Sequence, residues 1–222
     1  MSTRPGEAEP LPGTLIYRGA EADITLGTWQ GLGAVFKSRK PLRYRLPALD
    51  DSIRRQRTVR EAEMIEQAKR AGIRAPFLYA MDLPRATLVM EYVRGERLRD
   101  LVGSLRTDEA EDAFERFGRS AARMHTAGIM HGDLTTANVL MKGKDLFFID
   151  FGLSARTDRL EDHAVDLRLI KETLVGAHPG VAQAALDSLF RGYASEAGTQ
   201  RFRSVLRQLK SIERRGRYAR VE

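Results

Sequence analysis

The sequence predicts an α+β fold in two lobes, a small antiparallel sheet with one main helix followed by a mainly helical lobe. Three observations predict it. Short segments of partly alternating polar and apolar residues lie between Leu15 and Lys37, a helical apolar pattern follows them, and the sequence after Gly95 is mostly helical in period. With 222 residues, 42% of them apolar and 30% charged, the chain is long enough to bury a sizeable core.

The first lobe is predicted over residues 14 to 93. It follows a polar leader at residues 1 to 13, which has little apolar surface to bury. The segments LIYRG, ADITLGTW and AVFK predict three short strands, with a turn from Gly31 to Gly33 before the third. Together these segments predict a small antiparallel sheet.

The main helix of the first lobe is expected to begin at Asp51 or Ser52, which are good capping residues, and to end at Ala71. Gly72 supplies the stop. The segment ATLVMEYV then predicts a buried strand, and the Arg94-Gly95 pair predicts a bend into the second lobe.

The second lobe is predicted over residues 94 to 212, and helices dominate it. A helix opened by Thr107 or Asp108 is expected to end at Gly128. Two short apolar strands, VLM and LFFI, follow and are joined by the turn KGKD. Three more helices are expected from about residue 162 to residue 212, with breaks near residues 179 and 197.

The composition excludes several classes of protein. The chain has no cysteine, which rules out disulfides and thiolate metal sites, and its four scattered histidines argue against zinc. No apolar run approaches the length of a bilayer, so we expect no membrane association and a cytoplasmic location. The formal net charge of +7 favours polyanionic partners such as RNA.

The most informative stretch is HGDLTTANVLMKGKDLFFIDFG. Asp133 is followed five residues later by Asn138 and, beyond the predicted hairpin, by Asp150 in Asp-Phe-Gly. Phosphoryl transfer needs a carboxylate that orients or deprotonates the acceptor, and oxygen ligands that hold Mg²⁺ across the ATP phosphates. These residues supply that set, with Asp133 as base or orienter and with Asn138 and Asp150 as metal ligands. Singly, each could be a polar turn residue, but the joint spacing matches a kinase catalytic segment.

A kinase fold also needs a strand lysine on the ATP phosphates and a helix glutamate that holds it. Lys37 in AVFK and Glu61 in RTVREAEMI occur in the right order for these roles. Without the catalytic segment, both would be interpreted as solvated charges. With it, the sequence predicts a kinase-like fold with ATP in the cleft between its lobes.

The remaining nucleotide contacts are expected from two backbone segments. The turn Gly19-Ala20-Glu21-Ala22 is the candidate for covering the phosphates, and the hinge residues Met90, Glu91 and Val93 are candidates for contacting adenine.

From Gly19 to Tyr218 the chain resembles the small atypical kinase of the KEOPS complex, the PRPK-type family. The segments that carry the resemblance are GAEADI, FKSRKPLRYRLPALD, RTVREAE, MEYVRGERL, HGDLTTANVL, IDFGLS and DHAVDL. The resemblance implies an ATPase and serine/threonine kinase. It further implies KEOPS partners, including the threonylcarbamoyl-transferase subunit, and a role in threonylcarbamoyladenosine modification of tRNA.

Two departures from ordinary protein kinases affect the expected acceptor. No G-x-G-x-x-G precedes Lys37, and no A-P-E follows Asp-Phe-Gly. A predicted structural aspartate, Asp166, comes only sixteen residues after Asp150, which leaves little room for an activation loop or a peptide-docking platform. Water or a self-supplied serine is therefore the expected acceptor.

Two regions are dense in basic residues. The first lies between Lys37 and Arg60, and its partner stays open between phosphate and solvent; its members include Arg39, Lys40, Arg43 and Arg45. The second is the C-terminal region QRFRSVLRQLKSIERRGRYARVE, whose residues 213 to 222 are predicted to form a basic tail. We expect this tail to be a flexible arm that contacts RNA, through Arg214, Arg215, Arg217, Arg220 and Tyr218. The resemblance to KEOPS kinases implies that this RNA is tRNA.

Two alternatives remain open at this point. One is a free-standing kinase that acts on a small molecule or during ribosome assembly. The other is a pseudokinase that serves as an RNA-binding scaffold.

Overall fold

The computed structural model describes residues 13–42 and 44–218, and residues 216–218 by their backbone only. The predicted leader, apart from Gly13, therefore lies outside the described residues. The described chain divides into two compact units. The first consists of the residues up to Ala62 together with Pro76–Tyr92, and the second consists of Glu63–Ala75 and the residues from Val93 onward.

The first unit contains a five-stranded sheet in which all neighbouring strands are antiparallel, in the order β1-β2-β3-β5-β4. Its strands are β1 (Thr14–Arg18), β2 (Ala22–Trp29), β3 (Leu32–Arg39), β4 (Leu78–Asp82) and β5 (Thr87–Glu91). Ala34, Phe36 and Val89 form its buried core, and Trp29 packs against them. The four predicted strands are confirmed, whereas β4 was not predicted from the sequence.

The main helix, α1, runs over Pro47–Arg70 and begins four residues before Asp51. The predicted start was wrong because Pro47 suits the first helical turn, where its fixed φ matches the helix and its missing N–H is not needed. The predicted stop is confirmed. Gly72 adopts a φ of +79°, and its N–H donates to the carbonyl of Lys69 at 2.9 Å.

Helices dominate the second unit, as the sequence predicted. They are α2 (Leu98–Leu101), α3 (Thr107–Thr126), α4 (Leu160–Ala177), α5 (Ala182–Ala197) and α6 (Thr199–Tyr218). Two glycines allow α3 and α5 to pack with their backbones in close contact. A Cβ on Gly118 would overlap the carbonyl of Leu189, and one on Gly192 would overlap the carbonyl of Glu115. The short helix α2 was not predicted.

Two small sheets complete the second unit. One has the strand order β6-β8-β9 and the other pairs β10 with β7. The strands are β6 (Glu96–Arg97), β7 (Ile129–Met130), β8 (Val139–Lys142), β9 (Asp145–Phe148) and β10 (Ala155–Arg156). The predicted hairpin is confirmed as β8 and β9. Within the described ranges, none of the helices has both the length and the hydropathy needed to cross a bilayer.

The last helix corrects one prediction. Helix α6 continues to Tyr218, so residues 213–218 are helical and do not form the expected flexible arm. Apolar residues of α6 face inward as far as Ile212, and the helix then continues without an apolar face because arginine is a good helix former. Arg220 lies outside the described residues, as does the side chain of Arg217.

Candidate functional site

The β8–β9 hairpin brings the two predicted metal ligands to the same end of one small sheet. Val139 pairs with Phe148 in the hairpin register, and just beyond it the N–H of Ile149 donates to the carbonyl of Asn138 at 2.9 Å. Asn138 is thus opposite the residue that precedes Asp150. The two are twelve positions apart in the sequence, and the hairpin brings them close together.

Asn138 also contacts the predicted catalytic aspartate. Its Nδ2 donates to Oδ2 of Asp133 at 2.7 Å and to the carbonyl of Asp133 at 3.0 Å. A 3₁₀ turn over Thr136–Asn138 closes the segment between them. Because its amide nitrogen already binds Asp133, Asn138 has its side-chain oxygen left to offer a cation.

Asp150 has an unusual backbone. Its φ of +62° lies in the left-handed region, which residues other than glycine rarely occupy. The N–H of Gly152 donates to Oδ1 of Asp150 at 3.3 Å, within the turn that follows. Backbone strain of this kind clusters at catalytic and ligand-binding sites, as expected if the carboxylate of Asp150 has a fixed task.

The loop that carries Asp133 is anchored from below by Asp166. The buried carboxylate of Asp166 accepts the N–H of His131 at 2.7 Å and the N–H of Gly132 at 2.9 Å. It also contacts Nε2 of His125 at 3.2 Å. The other ring nitrogen of His125 bonds Tyr193 Oη at 2.9 Å, which links the loop to α3, α4 and α5. Asp166 is therefore structural, as predicted.

Burial and charge set the protonation of this anchor. Burial alone would raise the pKa of Asp166, but the hydrogen bond and charge of His125, together with His131, lower it, so the group is a carboxylate. The pKa of His131 is lowered by burial, which outweighs the nearby carboxylates of Asp166, Asp150 and Asp133. His131 is neutral, and its Nδ1 accepts the N–H of Asp133 at 3.4 Å. It packs against the loop and hydrogen-bonds it.

The residue before Asp133 must be glycine. Gly132 has a φ of +82°, and a Cβ there would overlap the carbonyl of Leu153. Close to this contact, the buried Ser154 donates its hydroxyl to the carbonyl of His131 at 2.8 Å. The segment after Asp-Phe-Gly thus folds directly onto the Asp133 loop.

The first unit holds the predicted lysine–glutamate pair. Nζ of Lys37 on β3 lies 2.6 Å from Oε1 of Glu61 on α1, and both residues are buried. The same carboxylate binds a second cation, because Nη2 of Arg39 lies 2.6 Å from Oε2. The partner of Arg39, which stayed open from the sequence, is therefore Glu61.

The predicted phosphate-covering turn is a tight turn between β1 and β2. The N–H of Gly19 donates to the carbonyl of Ala22 at 2.9 Å. Two basic residues brace the turn: Nζ of Lys40 bonds the carbonyl of Gly19 at 2.5 Å, and Arg57 on α1 pairs with Glu21. These contacts fix both ends of the turn while Ala20 lies at its tip.

The hinge candidates lie at the end of β5 and after it. Met90 is buried, and the N–H of Glu91 already donates to the carbonyl of Phe77 at 2.8 Å. Val93 is buried and is the first residue of the longer segment of the second unit. The contact of these residues with adenine stays a prediction.

Acidic neighbours answer the open question about the first basic region. Ion pairs join Lys40 to Asp23 at 3.3 Å, Arg45 to Asp50 at 3.6 Å, Arg54 to Asp50 at 2.9 Å and Arg55 to Asp51 at 2.6 Å. Most of the region is therefore neutralised within its own unit. Arg43 lies outside the described residues.

The C-terminal helix differs from that region. Its outward positions are Arg203, Arg207, Lys210 and Arg214, which recur at intervals of four, three and four residues and so share one face. None of these four has an acidic partner among the described residues. In contrast, Arg215 pairs with Glu161 at 2.7 Å.

The donors available for a metal ion are few. Among the residues that the structure describes, no group of three or more His, Asp or Glu side chains could hold a metal ion by itself. One carboxylate, Asp150, and one amide oxygen, Asn138, suit Mg²⁺ instead, because that ion keeps several waters and completes its shell with substrate phosphates.

The site residues were predictable from a local motif, whereas the residues that support them were not. The supports are Arg39 beside Lys37, Lys40 under the turn, and His125 beneath Asp166. A signal existed for Arg39, since residues two apart on a strand share a face, which makes it a second candidate for Glu61.

Comparisons with known proteins show what this chain is similar to. The protein kinase domain model matches residues 45–179. The KEOPS complex subunit Bud32 of Pyrococcus abyssi is 36% identical over 210 residues, which are 92% of this chain and 96% of the relative. A probable serine/threonine-protein kinase, the BUD32 homolog of Archaeoglobus fulgidus, is 34% identical over 91% of this chain and 95% of its own length.

A longer relative matches through only part of its length. The probable bifunctional tRNA threonylcarbamoyladenosine biosynthesis protein of Methanothermobacter thermautotrophicus is 38% identical over 94% of this chain, which spans 37% of that protein.

Solved structures share the fold. The Rio2 kinase of Chaetomium thermophilum, in a complex with ADP/Mg²⁺ and phosphoaspartate, has a TM-score of 0.64 at 19% identity, over 93% of this chain and 71% of its own. WaaP in complex with acyl carrier protein has a TM-score of 0.65 at 16% identity, over 94% of this chain and 89% of its own. These matches confirm the predicted kinase-like fold, and the identity with Bud32 confirms the predicted resemblance. The chain belongs to the protein kinase family and, within it, to the Bud32 kinases.

Proposed function

We propose that this chain is an ATP-dependent phosphotransferase that hydrolyses ATP or phosphorylates serine or threonine, and that it works in the cytoplasm within a KEOPS-type assembly that modifies tRNA. The observation that carries the catalytic part is the set formed by Asp133, Asn138 and Asp150. Asn138 bonds Asp133 through its side chain and faces Ile149, the neighbour of Asp150, through its backbone.

Asp133 is the base or orienter of the reaction. Its Oδ2 is held by Asn138 at 2.7 Å, and the loop beneath it is fixed by the carboxylate of Asp166. A carboxylate held in this way can accept the proton of an acceptor hydroxyl or water and direct its oxygen toward the γ-phosphate.

Mg²⁺ would be held by Asp150 and by the side-chain oxygen of Asn138, and when bound it neutralises charge that develops on the phosphates. Lys37 supplies a further positive charge for the phosphates, with Glu61 holding its ammonium group. The Gly19–Ala22 turn covers the phosphates through its backbone, and Met90, Glu91 and Val93 provide the adenine contacts.

The short segment after Asp-Phe-Gly limits which group can accept the γ-phosphate. Helix α4 begins at Leu160, eight residues after Gly152, and β10 occupies two of the intervening residues. This leaves little chain for a peptide-docking platform. Ser154 is buried and donates its hydroxyl to His131, so it is not placed to accept phosphate. Water is therefore the favoured acceptor, and ATP hydrolysis the favoured activity.

The proposal that this chain works in an assembly rests on the names of its relatives. One is named a KEOPS complex subunit, and others are named for tRNA threonylcarbamoyladenosine biosynthesis. We extend this role to the present chain, with the threonylcarbamoyl-transferase subunit as the expected partner. The chain spans only 37% of one bifunctional relative. We propose that the rest of that relative corresponds to the expected partner.

The contact with tRNA is assigned to the basic C-terminal region. The exposed stripe of Arg203, Arg207, Lys210 and Arg214 suits a polyanion because no acid neutralises it within the described part of the chain. At a rise of about 1.5 Å per residue the stripe is roughly 16 Å long, enough for several successive phosphates. Arg217 and Arg220 stay predicted tRNA contacts of the basic tail.

Turnover of ATP with Mg²⁺ tests the catalytic part. The wild type and Asp150→Asn are compared alone, with an unmodified tRNA transcript, and with tRNA plus the threonylcarbamoyl-transferase subunit. The proposal expects hydrolysis that the partner stimulates and that the variant loses. Robust turnover on an added acceptor without the partner would favour a free-standing kinase. No turnover under any condition would favour a scaffold without catalysis.

Salt-dependent binding tests the RNA part. We expect a variant with all four stripe residues changed to Gln to bind tRNA more weakly, with a shallower slope of log K against log salt by about 0.7–0.9 per lost phosphate contact. The matched control changes four exposed, acid-paired arginines to Gln, namely Arg85, Arg99, Arg106 and Arg159. Each variant removes four positive charges from a formal +7. If both variants weaken tRNA binding equally, the stripe is not a specific contact surface for tRNA.

A further inference from the structure

The carboxylate of Glu61 is shared between two cations, one on each oxygen. Lys37 approaches Oε1 and Arg39 approaches Oε2, both at 2.6 Å. The three side chains are 9%, 7% and 1% exposed for Lys37, Arg39 and Glu61, so the contacts form away from water. Charge-assisted hydrogen bonds in such surroundings are stronger than those on the surface.

The sheet makes this arrangement rigid. Lys37 and Arg39 are two residues apart on β3 and therefore project from the same face of the strand. Strand β3 is paired on both sides, with β2 and β5. The backbone of Arg39 is held further, since its N–H donates to the carbonyl of Ala86 at 3.1 Å.

The two cations have different physical properties. Lysine has a flexible stem and a compact ammonium group, which can turn from a carboxylate toward a phosphate. Arginine has a planar, permanently charged guanidinium that holds a carboxylate in a fixed orientation. If lysine alone held Glu61, its movement toward a nucleotide would weaken the bond that keeps the carboxylate in place. Arg39 retains Glu61 whichever way Lys37 turns.

We propose that Arg39 is a positioning residue for phosphate binding, which keeps Glu61 fixed so that Glu61 in turn presents Lys37 to ATP. This inference rests on the proposed ATP-dependent function. Arg39 acts through Glu61 and does not contact the nucleotide. A second cation therefore holds the glutamate of the lysine–glutamate pair in place, so the pair is kept together by residues of this chain alone.

The test measures ATP affinity and turnover in the full chain. Arg39→Met should lower ATP affinity roughly tenfold, the order of loss expected when a charged hydrogen bond is removed. Arg39→Lys should fall between Met and the wild type. In a Glu61→Gln background, Arg39→Met should have no further effect, because its action passes through Glu61.

The matched control is Arg45→Met. Arg45 is also a largely buried arginine of the first unit with a carboxylate partner, Asp50, but among the described residues it forms no ion pair with Glu61. Its variant should keep wild-type ATP affinity to within about twofold. Thermal melting of every variant shows whether the chain is folded, and Arg39→Lys retains the charge if Arg39→Met does not fold.

Two results would overturn the role of Arg39. Unchanged affinity in Arg39→Met would show that Glu61 needs no second cation. An equal loss in the wild-type and Glu61→Gln backgrounds would show that Arg39 acts on nucleotide directly or through general stability. In both cases a wild type that hydrolyses ATP, and an inactive Asp150→Asn, would leave the proposed function standing. A wild type that binds no ATP would overturn both proposals.

Discussion

Replacing Asp166 with asparagine probes the anchor of the Asp133 loop while changing little but charge and one hydrogen-bonding group. In the structure this buried carboxylate accepts three hydrogen bonds, from the N–H groups of His131 and Gly132 and from the ring of His125. An amide has one acceptor oxygen, so its NH₂ group must face at least one of these donors.

The cost can be worked from these contacts. In the best orientation the amide oxygen keeps His131 and His125, and the N–H of Gly132 is left without an acceptor, which costs about 1–3 kcal/mol. The two retained bonds weaken because their acceptor is no longer charged, by roughly 0.5 kcal/mol each. Asp166→Asn should therefore lose about 3 kcal/mol of unfolding free energy, or about 6–12 °C in Tm.

Urea unfolding followed by circular dichroism measures this loss. The control is Asp145→Asn, whose carboxylate pairs with Arg74 at the surface and is 51% exposed, so that its replacement should cost less than about 1 kcal/mol. The pKa of folded Asp166 is lowered, so its contribution is complete above the unfolded pKa of about 4 and decreases as the pH falls further. If Asp166→Asn loses no more unfolding free energy at pH 7 than Asp145→Asn does, Asp166 does not anchor the Asp133 loop.

Three further outcomes are expected. Burial and the charges of His125 and Arg201 lower the pKa of His163 to about 4, so the wild type should lose stability as the pH falls from about 6.5 to 4. His163→Gln should flatten that part of an unfolding series, and an unchanged slope would contradict it. Gly118→Ala should lower the free energy of unfolding by about 1–3 kcal/mol, because its Cβ would overlap the backbone of α5. The control is Gly176→Ala, in open space on α4, which should leave the free energy of unfolding unchanged or raise it by up to about 1 kcal/mol. Equal melting temperatures would count against close packing of α3 and α5. Lys37→Ala should reduce both ATP affinity, measured by calorimetry, and turnover; intact affinity would remove Lys37 from the phosphates.

The part of the site that was predictable from sequence is local. Asp133 and Asn138 are five residues apart, and Asp150 follows a two-stranded hairpin, so a single stretch of sequence encodes their relation. The hairpin register observed for β8 and β9 is the one that such a turn favours. The fold class followed from the change of apolar period after residue 95.

The supports of the site depend on contacts between distant residues. The strand period places Arg39 on the same face as Lys37, but it does not identify the distant partner. Arg39 and Glu61 are 22 residues apart, and His125 is 41 residues from Asp166 and 68 from Tyr193. Each partner alone reads as a solvated charge or a core polar residue, and only the packing of α1 on β3, or of α3 with α4 and α5, joins them.

The sequence predicts the ends of helices and strands poorly where the apolar pattern stops before the element does, or where it is weak. Helix α6 continues beyond its last apolar residue, Ile212, because arginine sustains helix without burial. The strand β4, with the sequence LYAMD, was missed because it is short and only partly buried, so it shows little alternation.

The most direct test of the central claim compares turnover with nucleotide affinity in Asp133→Ala. If Asp133 orients or deprotonates the acceptor, γ-phosphate release from ATP with Mg²⁺ should fall by about 100-fold or more, while the Kd for ATP stays within about threefold of the wild type. Turnover that remains near the wild-type rate in a folded, ATP-binding variant would contradict the assignment of this loop as the catalytic centre.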